Sequence, residues 1–186
     1  MRLESETYEL IKQFVADMYV QCNITRVPID VFDVATKLGL NVVPYSKMEE
    51  KKELQAWSYD RDGFLLLDDR ENGTIYYNDI AKAKTRINQT IMHEIGHFLL
   101  GHKSNKPNER EEAEAKFFAK YSLAPMPLIH FLVGKKTTDN LRERFGIGYK
   151  AADIALENYA SWLSCAEHDF TTSELEILKQ FGLPGN

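Results

Sequence analysis

The stretch TIMHEIGHFLLGH, Thr90 to His102, holds His93-Glu94-Ile95-Gly96-His97 in the order H-E-x-x-H. On an α-helix, positions four apart lie on one face, one turn apart. His93 and His97 therefore offer two imidazole nitrogens to one divalent ion. Glu94 is turned about 100° away, placed to reach a water on that ion rather than to ligate it. The division of labour is chemical: neutral imidazoles bind the ion, which lowers the pKa of water toward ~7, and the carboxylate takes the proton as general base. The competing reading makes these three residues polar decoration on a solvated helix face. Against it, Ile91, Met92, Ile95, Phe98 and Leu99 surround the motif. Burying a glutamate and two histidines among them without partners would be costly. Gly96 points the same way, since glycine inside a helix costs ~1 kcal/mol against alanine and marks close approach by another element.

Catalytic zinc takes three protein ligands and keeps a fourth position open. The chain continues with Gly101 and His102, each one residue away from the H-x-x-G-x-x-H spacing that would make His102 the third. His102 reads instead as a helix-end residue interacting with the last carbonyls, with a role behind the ligands or toward substrate left open. The next helical segment offers Glu109, Glu111, Glu112 and Glu114. One glutamate from a second helix would complete a His₂Glu site; periodicity alone does not choose among the four.

Outward from this centre, residues 3 to 21 recur at amphipathic helical spacing, and VPIDVFDVATKLGL has Pro28 near a helix start and Gly39 as a stop. Then the period shortens. Segments 40–45, 54–59, 63–69 and 73–79 read as strands, the last three as an antiparallel meander with turns at RDG and ENG. From about Ala81 onward the pattern is helical, with shorter helices expected near 126–134, 137–145, 149–164 and 171–181. The expected class is α+β: a small, mostly antiparallel sheet of three or four strands against the HExxH helix and a Glu-bearing helix, with extra N- and C-terminal helices. The expected division is a zincin-like domain over 1–125 and a helical extension over 126–186, packed on the same domain.

The sequence has 186 residues, 44% hydrophobic and 27% charged, with a formal charge of −5, enough apolar material for a real core. That charge argues against nucleic-acid binding by bulk electrostatics. The acidic, amphipathic start does not read as a secretory signal, and no apolar run approaches a membrane span. Cys22 and Cys165 stand far apart, as expected for buried thiols in a reducing, cytoplasmic compartment.

Three segments together resemble the ImmA/IrrE family of metallopeptidases: VPIDVFDVATKLGLNVVPY, TRINQTIMHEIGHFLLGH and EAEAKFFAKYSLAP. The resemblance spans roughly residues 24 to 125. It implies a gluzincin-like core with zinc held by His93, His97 and Glu112, the first glutamate of E-x-E-A, and with Glu94 as catalytic base. Lys116 stands where the family has Asn or Asp. In related enzymes an acid there orients a ligand histidine; lysine cannot accept that hydrogen bond, so another acid does the work or the site is weaker. The segment LRERFGIGYKAADIALENY matches the family only loosely. The resemblance further implies an endopeptidase acting on a protein substrate, a neighbouring helix-turn-helix repressor, and so derepressing genes of a mobile element, phage or stress response. An edge strand, expected to be GTIYYND, would pair with the extended substrate. His102, Tyr121 and Tyr149 are the donors available for an oxyanion.

Two rival readings have their own marks. A metal-bearing anti-repressor that inactivates its partner by binding alone would fit Lys116, but would have no use for Glu94. A helix-turn-helix DNA binder would use LRERFGIGYKAADIAL, but its second helix sets Lys150 against Asp153 and Glu157, a poor surface for phosphates. Neither nucleic acid nor membrane is an expected partner, and oligomeric state stays open.

Overall fold

The computed structural model describes residues 3–80, 82–102, 107–165 and 169–185, with backbone only at residue 165. Helices α1 (Ser5–Gln21) and α2 (Val31–Lys37) lead into strand β1 (Asn41–Pro44) and helix α3 (Glu50–Tyr59). Strands β2 (Gly63–Leu67) and β3 (Gly73–Tyr77) follow, then helices α4 (Lys84–Leu99) and α5 (Glu109–Leu123). The chain ends in α6 (Met126–Leu132), α7 (Thr138–Phe145), α8 (Tyr149–Cys165) and α9 (Thr172–Gln180). The class is α+β, as expected. The chain groups into two compact units, one of Leu3 with Asp30–Ala119 and one of Glu4–Ile29 with the segment from Lys120 onward. Helix α1 thus belongs with the C-terminal helices, although the sequence reading sets its boundary at residue 125.

In the first unit the sheet has three strands in the order β1-β3-β2. β1 runs parallel to β3, with Val42 opposite Ile75, and β2 runs antiparallel to it, with Leu65 opposite Ile75. The sheet is therefore mixed, and the expected meander reduces to one hairpin. Its turn is fixed by Asp68, whose carboxylate accepts the backbone N–H groups of Arg70 and Asn72, each at 2.8 Å. β3 is the central strand, not the edge strand expected of GTIYYND, because both flanks are paired and Ile75 is fully buried. Residues 54–59 form the end of helix α3 rather than a strand. The aromatic alternation there is overruled by the preceding run of good helix formers, with Glu50 and Glu53 in the first turn where the helix dipole favours acids. Helix α4 packs on β2, β3 and α2 through Ile91, Met92 and Ile95, which have no exposed surface.

In the second unit α1 lies along α9, α6 packs on α8 and α9, and α7 packs on α8. The Tyr19 hydroxyl donates to the Ser122 carbonyl at 2.7 Å, tying α1 to the end of α5. Cys22 is buried, as expected, while the Cys165 side chain lies outside the described residues. Among the described residues no helix is long and apolar enough to cross a membrane.

Candidate metal centre

One turn apart on α4, the Nε2 atoms of His93 and His97 approach to 3.1 Å. Helix α5 brings Glu112 to the same point, with Oε1 3.4 Å from His97 Nε2 and Oε2 3.7 Å from His93 Nε2. Donors around a tetrahedral zinc with bonds of 2.0–2.2 Å stand about 3.3–3.6 Å from one another. Each histidine nitrogen has its own Glu112 oxygen near that distance, and one donor atom from each residue lies within 4.8 Å of the other two, so the donor set fits a divalent ion in its chemistry and converges closely enough to hold one. Among the described residues these three form the group able to hold a metal ion.

The approach of α5 depends on Gly96. A Cβ there would lie 3.0 Å from Phe118 Cδ1 and 3.2 Å from Phe118 Cβ and Cγ, so a side chain would press the helices apart. This is the close approach expected of a glycine inside the helix. The structure also separates the four glutamates. Glu109 is exposed, Glu111 accepts the Asn108 backbone N–H at 2.8 Å, and Glu114 pairs with Arg110 and His102. Of the four, Glu112 is the one that faces His93 and His97.

Electrostatics favour the ligand forms of these groups. Burial, reinforced by the neighbouring His93 and His102, pushes His97 down to about 4, so it is a neutral imidazole at physiological pH. His93, then Lys116, hold the Glu112 carboxyl well below the usual range. Glu94 is only 6% exposed. Its burial, with the charges of Asp60 and Glu112, pushes it up to about 8, while the Leu65 backbone N–H hydrogen-bonds the carboxylate and favours its ionised form. A cation beside it would act in the same direction as that N–H. Asp60 is itself fixed in the β2 approach, its Oδ1 accepting the N–H groups of Asp62 and Gly63 at 2.7 and 3.0 Å. Arg86 and Lys82 both pair with Asp62, tying the segment around the α4 N-terminus to the start of β2.

A peptidase family model, the IrrE N-terminal-like domain of peptidases M78, matches residues 35–157. The chain belongs to this family. None of the curated proteins compared with it matches. In this M78 peptidase both the HExxH helix and the Glu112-bearing helix lie inside the matched segment.

Lys116 of the M78 peptidase has a partner the sequence did not suggest. Its Nζ stands 2.8 Å from Glu112 Oε2, one turn away on α5. His102 is the helix-end residue expected, its backbone N–H bonding the His97 carbonyl at 3.0 Å. Its side chain turns inward toward the role behind the histidines that the sequence left open, with Nδ1 2.9 Å from His97 Nδ1 and Nε2 3.0 Å from Glu114 Oε2. The signal that could have shown this is Gly101, whose left-handed φ of 72° folds the chain back over the last turn. Of the other two suggested oxyanion donors, Tyr121 is 2% exposed within the second unit, and the exposed Tyr149 has the Arg142 guanidinium 3.3 Å over its ring.

Proposed function

We propose that this M78 peptidase is a zinc-dependent endopeptidase, with His93, His97 and Glu112 as metal ligands and Glu94 as general base. The observation that carries this reading is the convergence of one donor atom each from His93, His97 and Glu112 within 4.8 Å, with a buried glutamate adjacent in sequence on the same helix. Zinc bound there would supply a Lewis acid that activates water and polarises a peptide carbonyl. Glu94 accepts the proton of the attacking water and delivers it to the departing amine. The Leu65 N–H holds the carboxylate in place for both transfers, and the low exposure of Glu94 keeps bulk water from competing.

The same N–H points to where substrate lies. Because Leu65 turns its N–H toward Glu94, it turns it away from β3, and strand alternation directs the backbone groups of Gly63 and Leu67 the same way. The outer edge of β2, not GTIYYND, is then the strand that an extended substrate backbone joins. The substrate is a protein, and the resemblance to the ImmA/IrrE family favours a helix-turn-helix repressor encoded nearby, acted on in the cytoplasm. The test is Glu94→Gln, which keeps zinc content and abolishes cleavage of that repressor. If Glu94→Gln still relieved repression in full, the protein would be an anti-repressor that binds without cutting.

A further inference from the structure

Two residues outside the ligand set, His102 and Glu114, stand in line behind the His97 ring. We infer that His102 and Glu114 are positioning residues for His97, forming a carboxylate–imidazole–imidazole chain that orients this ligand and fixes its tautomer. The inference rests on the reading of His93, His97 and Glu112 as metal ligands. His97 Nε2 faces His93 and Glu112, so a metal ligand there carries its proton on Nδ1. That Nδ1–H donates to His102 Nδ1 at 2.9 Å. His102 must then carry its own proton on Nε2, where Glu114 Oε2 lies at 3.0 Å to accept it. The other Glu114 oxygen accepts Arg110 Nε–H at 2.8 Å, so the carboxylate end of the chain is itself anchored. Each link has one donor and one acceptor. The opposite His102 tautomer would aim its proton at His97 Nδ1, force the His97 proton onto the metal-facing Nε2, and set a bare nitrogen against a carboxylate.

The backbone builds the same link. Leu100 caps α4, Gly101 turns left-handed, and two bonds close the helix end: Gly101 N–H to Phe98 O at 3.2 Å and His102 N–H to His97 O at 3.0 Å. These are the paired bonds of a Schellman motif, with His97 and His102 as its outer partners. The residue that closes the helix end thus places its side chain against the ligand one turn back. His97 and His102 are 4% and 9% exposed, so water does not replace this contact. Lys116 cannot serve, having no acceptor and standing on Glu112.

The test compares zinc affinity, by competition with a chromophoric chelator, in the full-length wild type, His102→Phe, Glu114→Gln and His93→Ala. Hydrogen-bond partners behind a ligand typically change metal affinity about 10–100-fold. His102→Phe should lose affinity in that range. Glu114→Gln keeps shape and an acceptor but removes the charge, and should lose several-fold without lowering the melting temperature of the metal-free protein. Nitrogen-15 NMR of the zinc-loaded wild type should show His102 protonated on Nε2. Wild-type affinity in both His102→Phe and Glu114→Gln, or a His102 protonated on Nδ1, would overturn the inference while loss of binding in His93→Ala upheld the ligand set. Wild-type affinity in His93→Ala would overturn the ligand reading itself. If His102→Phe fails to fold, Glu114→Gln and the NMR measurement decide alone.

Discussion

Glu112 and its three neighbouring glutamates show how far single residues could be read from the sequence. HExxH named His93, Glu94 and His97 because residue type and spacing together carry the chemistry. Periodicity gave Glu112 no such signature, since 109–114 puts acids around much of the helix circumference, and only the resemblance at E-x-E-A pointed to it. In physical terms it is packing that selects one of them, through the close approach of α5 at Gly96 and the partners that occupy Glu111 and Glu114. The expected outcome is that Glu112→Gln removes zinc binding whereas Glu111→Gln retains it, read by metal content after dialysis. Lys116 belongs at this scale too. It stands where Asn or Asp was expected, and its ion pair is with the Glu112 carboxylate rather than with a histidine.

At the scale of elements, the long periodic helices were legible and the sheet less so. α4 and α5 were legible as helices because apolar stripes and breakers mark them. Strand order was not, because nothing local distinguishes a central strand from an edge strand when both are short and aromatic. Two elements carry predictions. At Gly101 a Cβ must enter the left-handed region, so Gly101→Ala should cost about 1 kcal/mol, or roughly 2–4 °C in melting temperature for a chain of this size. It should also weaken zinc binding, because His102 is displaced with the turn. At the junction of β2 and α4, the Arg86 hydrogen bond holds the Asp62 carboxyl at about 2, below its ordinary 3.8. A depressed folded-state pKa contributes stability above the unfolded value and loses it as pH falls through the folded one. Metal-free Asp62→Asn should therefore melt below wild type at pH 7 and level with it near pH 2. The difference should be a few degrees at most, since the pair is partly solvent-exposed and such pairs are worth ~1 kcal/mol or less.

At the scale of the whole molecule, the family and the class of chemistry could be read from 186 residues, while the grouping of helices could not. α1 pairs with α9 across almost the full length of the chain, and no local pattern announces a contact of that range. Metal binding should register in global stability by mass action. A ligand at 100 times its dissociation constant adds about 2.7 kcal/mol, roughly 5–10 °C here. Wild type should show that rise on zinc addition and lose it with chelator, and Glu112→Gln should show neither by calorimetry. The most direct test of the account is cleavage of a mixed peptide library, followed by mass spectrometry, with wild type and Glu94→Gln each carrying one zinc per chain. The account predicts cleavage by wild type and none by Glu94→Gln. Equal cleavage by the two, or none by the zinc-loaded wild type, would contradict it.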